Sequence, residues 1–278
     1  MKCTNLSIVL LTFAAFLQSG AIAQAPAIPP DADGAPAALK GSPRHGEWVD
    51  IDLPGSEAKI RSYVVYPERP GKAPVVLVIH EIFGLTDWVR AVADQLAAEG
   101  FIAVAPDMLS GMGPGGGGTE AFDGDKVREA IRAISADDVA QRLNAVRTYA
   151  HALPAAAGKT GVVGYCWGGT QVWNYAIRQT ELDAAVVYYG SGPAEASDYE
   201  KIACPVLGLY GQDDARVNAT IENSENAMAK AEKSFVKHMY DGAGHGFLRQ
   251  QSGRDGANAR AAAEAWSRTI VFFRSHLE

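Results

Sequence analysis

Short apolar runs alternate with segments of helical periodicity from residue 47 onward, and this alternation constrains the fold more than any other feature. PVVLVIH (74–80) and FIAVAPD (101–107) are continuous apolar runs, typical of strands that helices cover on both faces. Between them, DWVRAVADQLAAEG (87–100) has helical spacing and ends at a glycine. Such strand–helix–strand units predict an α/β fold with a mostly parallel central sheet and helices on both faces.

The rest of the chain continues this pattern. The spacing predicts further strands at 47–53, 58–67, 159–165, 182–190, 204–211 and 234–240, and helices at 168–179, 220–233 and 258–277. A long helical region at 125–153 is expected to break near Ser135. SGMGPGGGG (110–118) is too rich in glycine for regular structure, which predicts a mobile loop.

The N-terminus has the pattern of a secretory signal. Lys2 precedes the apolar stretch LSIVLLTFAAFL, and the small residues Ala21 and Ala23 predict cleavage before Gln24. The alternative is an uncleaved N-terminal helix. We expect a signal peptide at 1–23, an Ala/Pro-rich, disordered or extended linker at 24–46 and one domain at 47–278. No later apolar run is long, so a periplasmic or secreted protein outside the membrane is expected.

Charge and cysteine content exclude several classes of protein. The net charge of −7 argues against a nucleic-acid partner, which would need a basic face. Cys3 belongs to the predicted signal, which leaves only Cys166 and Cys204. Two cysteines are too few for a disulfide scaffold or a clustered zinc site, so no metal or cofactor is expected. The oligomeric state is not determined by these features.

Gly164-Tyr165-Cys166-Trp167-Gly168 fits the pattern glycine–x–nucleophile–x–glycine, between a predicted strand and a predicted helix. In that context a sharp turn raises the central side chain above the strand end, and the next helix directs its N-terminal amides at it. Both effects favour a thiolate. The alternative is a glycine-rich turn with an incidental small cysteine.

A nucleophile of this type needs a base and an orienting acid, in the chain order nucleophile, acid, base. Asp213 and Asp214 follow the strand at 204–211, and His245 follows the strand at 234–240. Either aspartate alone could instead cap a helix or fill a turn. All three groups follow strands, at the edge where open α/β sheets place their sites.

Glu81 directly follows the apolar run 74–80 and could either contribute to the site or cap the next helix. A carboxylate there needs a partner, because burying an unpaired charge is costly. His80-Glu81 resembles the start of the zinc motif H-E-x-x-H, but Gly84 stands where the second histidine is required, so zinc is rejected. Cys204 is expected to be buried and has no assigned role.

The motifs HEIFGL, GYCWGG, GQDDARV and GAGHGFLR together resemble the dienelactone hydrolase (carboxymethylenebutenolidase) family of the α/β-hydrolase superfamily, from about Ile60 to the last helix. The resemblance implies an α/β-hydrolase fold, with Cys166 as nucleophile, His245 as base and Asp214 as acid. Asp214 is chosen over Asp213 because Gly211, Asp214 and Val217 fit the family spacing G-x-x-D-x-x-V.

The resemblance also implies supporting roles. Glu81 resembles the carboxylate that contacts the resting thiol, and the backbone N–H groups of Ile82 and Trp167 would form the oxyanion hole. Arg249 resembles the arginine that holds the substrate carboxylate. The family's second arginine has no clear counterpart, although Lys126 and Arg128 lie in the corresponding region.

These features predict an exported hydrolase that cleaves a small ester or lactone through Cys166, His245 and Asp214 and a thioester acyl-enzyme. One alternative is a carboxylesterase or thioesterase of broad specificity with the same machinery. The other is a non-catalytic binding protein on the same scaffold.

Overall fold

The computed structural model describes residues 26–278, and the predicted signal at 1–23 lies outside the described residues. The strands are β1 (Gly46–Asp52), β2 (Lys59–Val65), β3 (Ala73–Ile79), β4 (Ile102–Pro106), β5 (Ala156–Tyr165), β6 (Ala184–Tyr188), β7 (Val206–Gly211) and β8 (Phe235–Tyr240). The α-helices are α1 (Ala35–Gly41), α2 (Asp87–Ala98), α3 (Lys126–Ala133), α4 (Ala136–Ala152), α5 (Trp167–Arg178), α6 (Ala215–Asn218), α7 (Ile221–Lys230) and α8 (Ala257–Leu277).

The eight strands form one sheet in the order β1-β2-β4-β3-β5-β6-β7-β8. β2 runs antiparallel to both of its neighbours, β1 and β4, and every other pair is parallel. The predicted, mostly parallel sheet is therefore confirmed, with antiparallel pairing confined to one end. None of the helices at 26–278 is both long and apolar enough to cross a membrane.

Helices cover both faces of the sheet because side chains alternate along each strand. Val75, Leu77 and Ile79 of β3 pack in the core on the side of α4, α5 and α7. Val76 and Val78 point the opposite way, into the core formed with α2 and α8. This two-sided burial explains why the run at 74–80 has no polar alternation.

The chain order reverses between β3 and β5, which are neighbours in the sheet although β4 separates them in sequence. At this reversal the first turn of α5 crosses the end of β3 in close contact. A Cβ atom at Gly168 would lie 2.4 Å from the carbonyl oxygen of Ile79. Only glycine permits this approach, which places the turn at Cys166 beside the end of β3. Open α/β sheets bind ligands at such switch points.

Within the segment 24–46, predicted to be a disordered or extended linker, the structure has no regular elements at 26–30 and 42–43 but forms a helix at 35–41. α1 forms there, and Ala35 is fully buried against the core that contains α2. The backbone N–H of Ala32 also donates to the carbonyl of Arg249 at 3.0 Å. Alanine favours helix, but so short a helix buries too few apolar residues to produce a visible periodicity.

The long helical region does break where the sequence predicts. Ser135 is the N-cap of α4, and its hydroxyl accepts a hydrogen bond from the N–H of Asp138 at 3.0 Å. The segment at 110–118 consists of turns with one short 3₁₀ turn, Pro114–Gly116. It is followed by Thr119, whose N–H and hydroxyl both donate to the buried carboxylate of Asp107.

Candidate active site

Cys166 lies in the turn between β5 and α5 with a backbone conformation that is rare for a residue with a side chain. Its φ is 55° and its ψ is −113°, and its N–H donates to the carbonyl of Tyr188 at 3.1 Å. A Cβ atom at Gly164 would lie 2.2 Å from the carbonyl oxygen of Gly168, so the turn closes only because glycine occupies position 164. The predicted strand–turn–helix context of Cys166 is present.

His245 and Asp214 meet at the carboxyl ends of β8 and β7. Nδ1 of His245 lies 2.5 Å from Oδ2 of Asp214, whose side chain is 6 % exposed. Asp214 is also the N-cap of α6, where its other oxygen accepts from the N–H of Val217 at 3.5 Å. Asp213, the alternative acid, points away and pairs with Arg254 at the surface. Of the two aspartates, the structure therefore joins Asp214 to His245.

The charge of Cys166 also acts on His245. Burial lowers the pKa of His245, but the hydrogen bond to Asp214 and the interactions with Cys166 raise it overall to about 9. The imidazole is one-third exposed and packs edge-on against the ring of Tyr189, with 5.2 Å between centroids. The carboxylate of Asp214 bonds to one side of the imidazole, and this environment favours the protonated ring.

The loop that carries His245 is held at both ends by one buried side chain. The side-chain oxygen Oδ1 of Asn258 accepts from the N–H of Gly244 at 3.0 Å. Its side-chain nitrogen Nδ2 donates to the carbonyl of Gln250 at 2.7 Å. Asn258 is nearly inaccessible. Sequence reasoning missed this residue, because a lone asparagine at the start of a helix resembles an ordinary polar position.

Glu81 lies at the end of β3, buried, with 3 % of its side chain exposed. Its Oε2 lies 2.6 Å from Nε of Arg249, although this N–H is not directed at the oxygen in hydrogen-bond geometry. Burial raises the pKa of Glu81 to about 7, while the charges of Arg249 and His245 act against that rise. Arg249, predicted to hold a substrate carboxylate, is therefore paired with a protein carboxylate in this structure.

His80 is held inside the protein by both ring nitrogens. Nε2 accepts from the N–H of Met108 at 3.1 Å, so Nδ1 carries the proton and donates to the carbonyl of Glu81 at 2.8 Å. Burial lowers the pKa of His80 despite the nearby charge of Asp107. Within residues 26–278, no three His, Cys, Asp or Glu side chains form a cluster suited to a metal ion.

A pocket of about 400 Å³ lies beside the thiol. Its lining includes Cys166 together with Ile82 and Trp167, the two residues predicted to supply an oxyanion hole. Trp167 is the first residue of α5, so its N–H belongs to the amides that lack a partner within the helix. The ring of Trp167 also stacks on His80 at 5.5 Å.

The same pocket contains two arginines that sequence reasoning did not identify, Arg132 of α3 and Arg216 of α6. Arg216 could have been identified from the sequence, because it lies only two residues after Asp214, a predicted site residue. Lys126 and Arg128 were the two candidates for the family's second arginine. The guanidinium of Arg128 lies over the ring of Phe83 at 5.1 Å from its centroid, and that of Arg249 lies over the same ring at 4.7 Å. Cys204 is buried, and burial raises the pKa of its thiol to about 12.

Comparisons with known proteins find a family model and related chains that match most of this sequence. The family model described as "Dienelactone hydrolase family" matches residues 60–277. A "Putative carboxymethylenebutenolidase" from Synechocystis sp. (strain ATCC 27184 / PCC 6803 / Kazusa) is 31% identical over 246 residues, which cover 82% of this chain and 96% of that protein.

Solved structures have the same fold. The crystal structure of a "Putative Dienelactone Hydrolase" from Klebsiella pneumoniae subsp. pneumoniae MGH 78578 has a TM-score of 0.73 and 27% identity, and covers 83% of this chain and 98% of its own. The "Dienelactone Hydrolase-like Promiscuous Phospotriesterase P91" from metagenomic libraries has a TM-score of 0.73 at 24% identity, covering 84% and 99%. The α/β-hydrolase fold predicted from the sequence is thereby confirmed.

Proposed function

The chain belongs to the dienelactone hydrolase family of ester and lactone hydrolases, and we propose that it cleaves a small ester or lactone through Cys166, His245 and Asp214. The observation that carries the proposal is the bond between Nδ1 of His245 and Asp214 at the carboxyl ends of β8 and β7, and the charge of Cys166 acts on the pKa of the same imidazole. A base placed between an acid and a nucleophile is the arrangement that activates such nucleophiles.

The reaction proceeds in two steps. His245 accepts the proton of Cys166, and the sulfur attacks the carbonyl carbon of the substrate. The N–H groups of Ile82 and Trp167 stabilise the resulting oxyanion, and each such donor contributes a few kcal/mol of transition-state stabilisation. The carbon–oxygen bond of the substrate then breaks, the alcohol leaves with the proton from His245, and a thioester remains on Cys166. Water, deprotonated by His245, hydrolyses the thioester and restores the thiol.

Glu81 and Arg249 support this chemistry as a pair. Nε of Arg249 and Oε2 of Glu81 lie 2.6 Å apart, and the charge of His245 is close enough to affect the pKa of Glu81. A substrate carboxylate reaches Arg249 only by competing with Glu81. That competition removes the cation that compensates Glu81 and so changes the charge beside His245, which is the way in which substrate would help to activate the thiol.

Substitution of the two cysteines tests the nucleophile. Cys166→Ala is expected to abolish turnover of p-nitrophenyl acetate and of dienelactone. Cys204→Ala is the matched control, because Cys204 is buried away from the pocket lining, and it is expected to retain activity. Mass spectrometry of acid-quenched wild-type enzyme should find the acyl group on the peptide that contains Cys166. Full turnover in Cys166→Ala would overturn the proposal.

Two further measurements separate the alternatives. A strong preference for small anionic lactones over neutral esters in a substrate panel supports a dienelactone-type activity, whereas uniform rates support a broad esterase or thioesterase. Iodoacetamide labelling of Cys166 at neutral pH, compared with a model thiol, tests for a non-catalytic scaffold. An inert site would label no faster than the model thiol and would show no turnover.

We also propose that the protein acts after export, on the basis of the signal pattern at 1–23. Expression of the full chain in a Gram-negative host should give a periplasmic or secreted form whose N-terminal residue is Gln24. A chain that lacks residues 2–23 should remain in the cytoplasm. Recovery of the full-length chain from the cytoplasm, with an intact N-terminus, would contradict export.

A further inference from the structure

The segment before β1 is docked on the loop between β8 and α8, which carries the proposed base. The N–H of Ala32 donates to the carbonyl of Arg249 at 3.0 Å. The side-chain amide of Gln251 donates to the carbonyl of Pro29 at 2.8 Å, and Pro29 is buried. Two hydrogen bonds therefore join this N-terminal segment, residues 28–44, to a loop that is remote from it in sequence.

The N-terminal segment is also fixed to α2. Ala35 of α1 is fully buried, and Leu39 packs against the same core. Farther along, Asp94 of α2 accepts from the hydroxyl of Ser42 at 2.6 Å and forms an ion pair with Arg44, in which both side chains are largely buried. Breaking a buried ion pair leaves an uncompensated charge, which is costly. The segment is therefore held on the domain at one end and reaches the loop with the other.

Bonds within the loop shape its turn but do not attach the turn to the rest of the domain. The N–H groups of Arg249 and Gln250 both donate to the carbonyl of Gly246 at 3.0 Å. The carbonyl of Arg249, in contrast, accepts from outside the loop. His245 directly precedes this turn, whereas Asp214 follows a different strand. A shift of the turn therefore moves the imidazole relative to the carboxylate.

The same contact lies close to the buried pair of Arg249 and Glu81, whose charged atoms are 2.6 Å apart. Ala32, Arg249 and Phe83 line one pocket of about 460 Å³, so the segment forms part of the wall beside the guanidinium. Because the bond from Ala32 fixes the backbone of Arg249, it also limits where that guanidinium can lie. Movement of the segment therefore disturbs both the base and the cation beside Glu81.

We propose that residues 28–44 are a positioning element for the proposed hydrolysis. Through its two hydrogen bonds the segment holds the loop so that His245 stays aligned with Asp214. The segment lies outside residues 60–277, the part of the chain that the family model matches, so the family match does not account for it. The proposal rests on the proposed function, because His245 is what the loop positions. The segment acts through His245 and is not itself catalytic.

Ala32→Pro tests the bond to Arg249. Ala32 follows Asp31 in a turn where the Asp31 carboxylate accepts from the N–H of Gly34 at 2.9 Å. Proline is favoured at this second position of such a turn, and it lacks the N–H that holds the loop. We expect kcat for p-nitrophenyl acetate to fall about fivefold, the size of effect that one hydrogen bond supports, with KM within about twofold. Ala32→Gly keeps the N–H and should restore kcat.

Gln251→Met tests the second bond. Methionine has a similar length and no amide, so kcat is again expected to fall about fivefold. This amide also donates to the carbonyl of Leu248 within the loop, so the two variants are measured together. Gln141→Met is the matched control, because the side-chain amide of Gln141 also donates to a proline carbonyl, that of Pro54, at 2.9 Å. Neither residue lines the pocket at Cys166, so this variant should keep wild-type kcat.

An NMR titration of His245 separates positioning from a purely structural role. A loss of stability alone lowers the folded fraction without changing the pKa of His245 in the molecules that remain folded. A displaced loop weakens the bond to Asp214, so the raised pKa of His245, about 9, should fall. The fall is expected in Ala32→Pro and Gln251→Met, at a temperature where circular dichroism shows both variants to be folded. Gln141→Met should leave this pKa unchanged.

The outcomes separate this proposal from the proposed function. Wild-type kcat and an unchanged pKa of His245 in both loop-contact variants would overturn the positioning role, even where Cys166→Ala has lost turnover. An equal fall of kcat in Ala32→Gly would likewise show that the N–H of residue 32 does not hold the loop. The titration needs no turnover, so it measures the effect of the segment even if Cys166→Ala stays active and the proposed function fails.

Discussion

Nε of Arg249 lies 2.6 Å from Oε2 of Glu81, at the end of β3, the first of the parallel strands. The contact joins the only carboxylate at the end of that strand to the loop that follows His245. Because the carboxylate is buried and the arginine compensates it only in part, the pKa of Glu81 rises to about 7. The charge of Glu81 therefore changes within the neutral pH range.

Glu81→Gln is expected to flatten the dependence of stability on pH. The folded pKa of Glu81 lies above its ordinary value of 4.5, so between pH 4.5 and about 7 the folded chain binds more protons than the unfolded chain. The contribution of protonated Glu81 to the free energy of unfolding is therefore complete below pH 4.5 and is lost as pH rises to 7. The loss is on the order of 3 kcal/mol at most. Urea denaturation should show that the free energy of unfolding falls less between pH 5 and pH 7 in Glu81→Gln than in the wild type. Glu222→Gln, on the exposed side of α7, is the control, and identical slopes in all three proteins would contradict the assignment.

Asp214→Asn and Asp213→Asn are expected to differ sharply in activity. Asparagine at 214 keeps an oxygen to cap α6 but removes the charge that supports protonated His245, so kcat/KM should fall at least about 100-fold, and the stability that the charged pair contributes at neutral pH should be lost. The pKa of His245, raised to about 9, should fall in an NMR titration. Asp213→Asn breaks only a surface pair with Arg254 and should retain activity within about threefold. Equal losses in the two variants would refute the choice of Asp214.

The raised pKa of His245 also predicts that the protein loses stability at alkaline pH. Its folded pKa of about 9 exceeds its ordinary value of 6.5, so the bond to Asp214 contributes fully below pH 6.5 and its contribution is lost as pH rises toward 9. The free energy of unfolding of the wild type should therefore decline over that window. Asp214→Asn should remove most of the decline. A wild-type profile that is flat from pH 6.5 to 9 would contradict the assignment.

The sequence predicted the elements that bury many apolar residues and failed for those that bury few. The strand at 74–80 and the helix at 87–100 lie within two residues of β3 and α2. α1 and α6 were missed, because seven and four residues carry no readable period. The turn at Cys166 and the meeting of His245 with an aspartate were predictable, because each residue follows a strand and belongs to a local motif, but the choice of Asp214 over Asp213 needed the family spacing. The environment of Arg249 was not predictable, since its partner Glu81 is remote in sequence.

Asn258→Ala is expected to loosen the loop that carries His245. The substitution leaves the N–H of Gly244 and the carbonyl of Gln250 without their partner in a buried site, which costs about 1–3 kcal/mol for each unpaired group. Stability should fall, and kcat should fall further than KM rises, because the imidazole is no longer held in place. Asn223→Ala is the control, since Asn223 is exposed and bonds to the carbonyls of Pro193 and Ala194, which do not line the pocket. Wild-type kcat in Asn258→Ala would show that the loop is held by other contacts.

Gly168→Ala tests whether the turn at Cys166 depends on the close approach of α5 to β3. A Cβ at position 168 would lie 2.4 Å from the carbonyl oxygen of Ile79 and 2.5 Å from that of His80. Both are backbone atoms and cannot rotate away, so α5 must move outward, at a cost of about 1–3 kcal/mol. That movement separates the amide of Trp167 from the end of β3, and kcat should fall in the protein that remains folded.

Gly41→Ala provides the comparison for this last substitution. Gly41 ends α1, and a Cβ there would meet no heavy atom within 4 Å. Alanine restricts the unfolded chain without strain, so stability should rise by about 0.4–1 kcal/mol with unchanged turnover. Urea denaturation and p-nitrophenyl acetate hydrolysis measure both variants side by side. If Gly168→Ala matched Gly41→Ala in stability and rate, the packing of α5 on β3 would not be what positions the thiol.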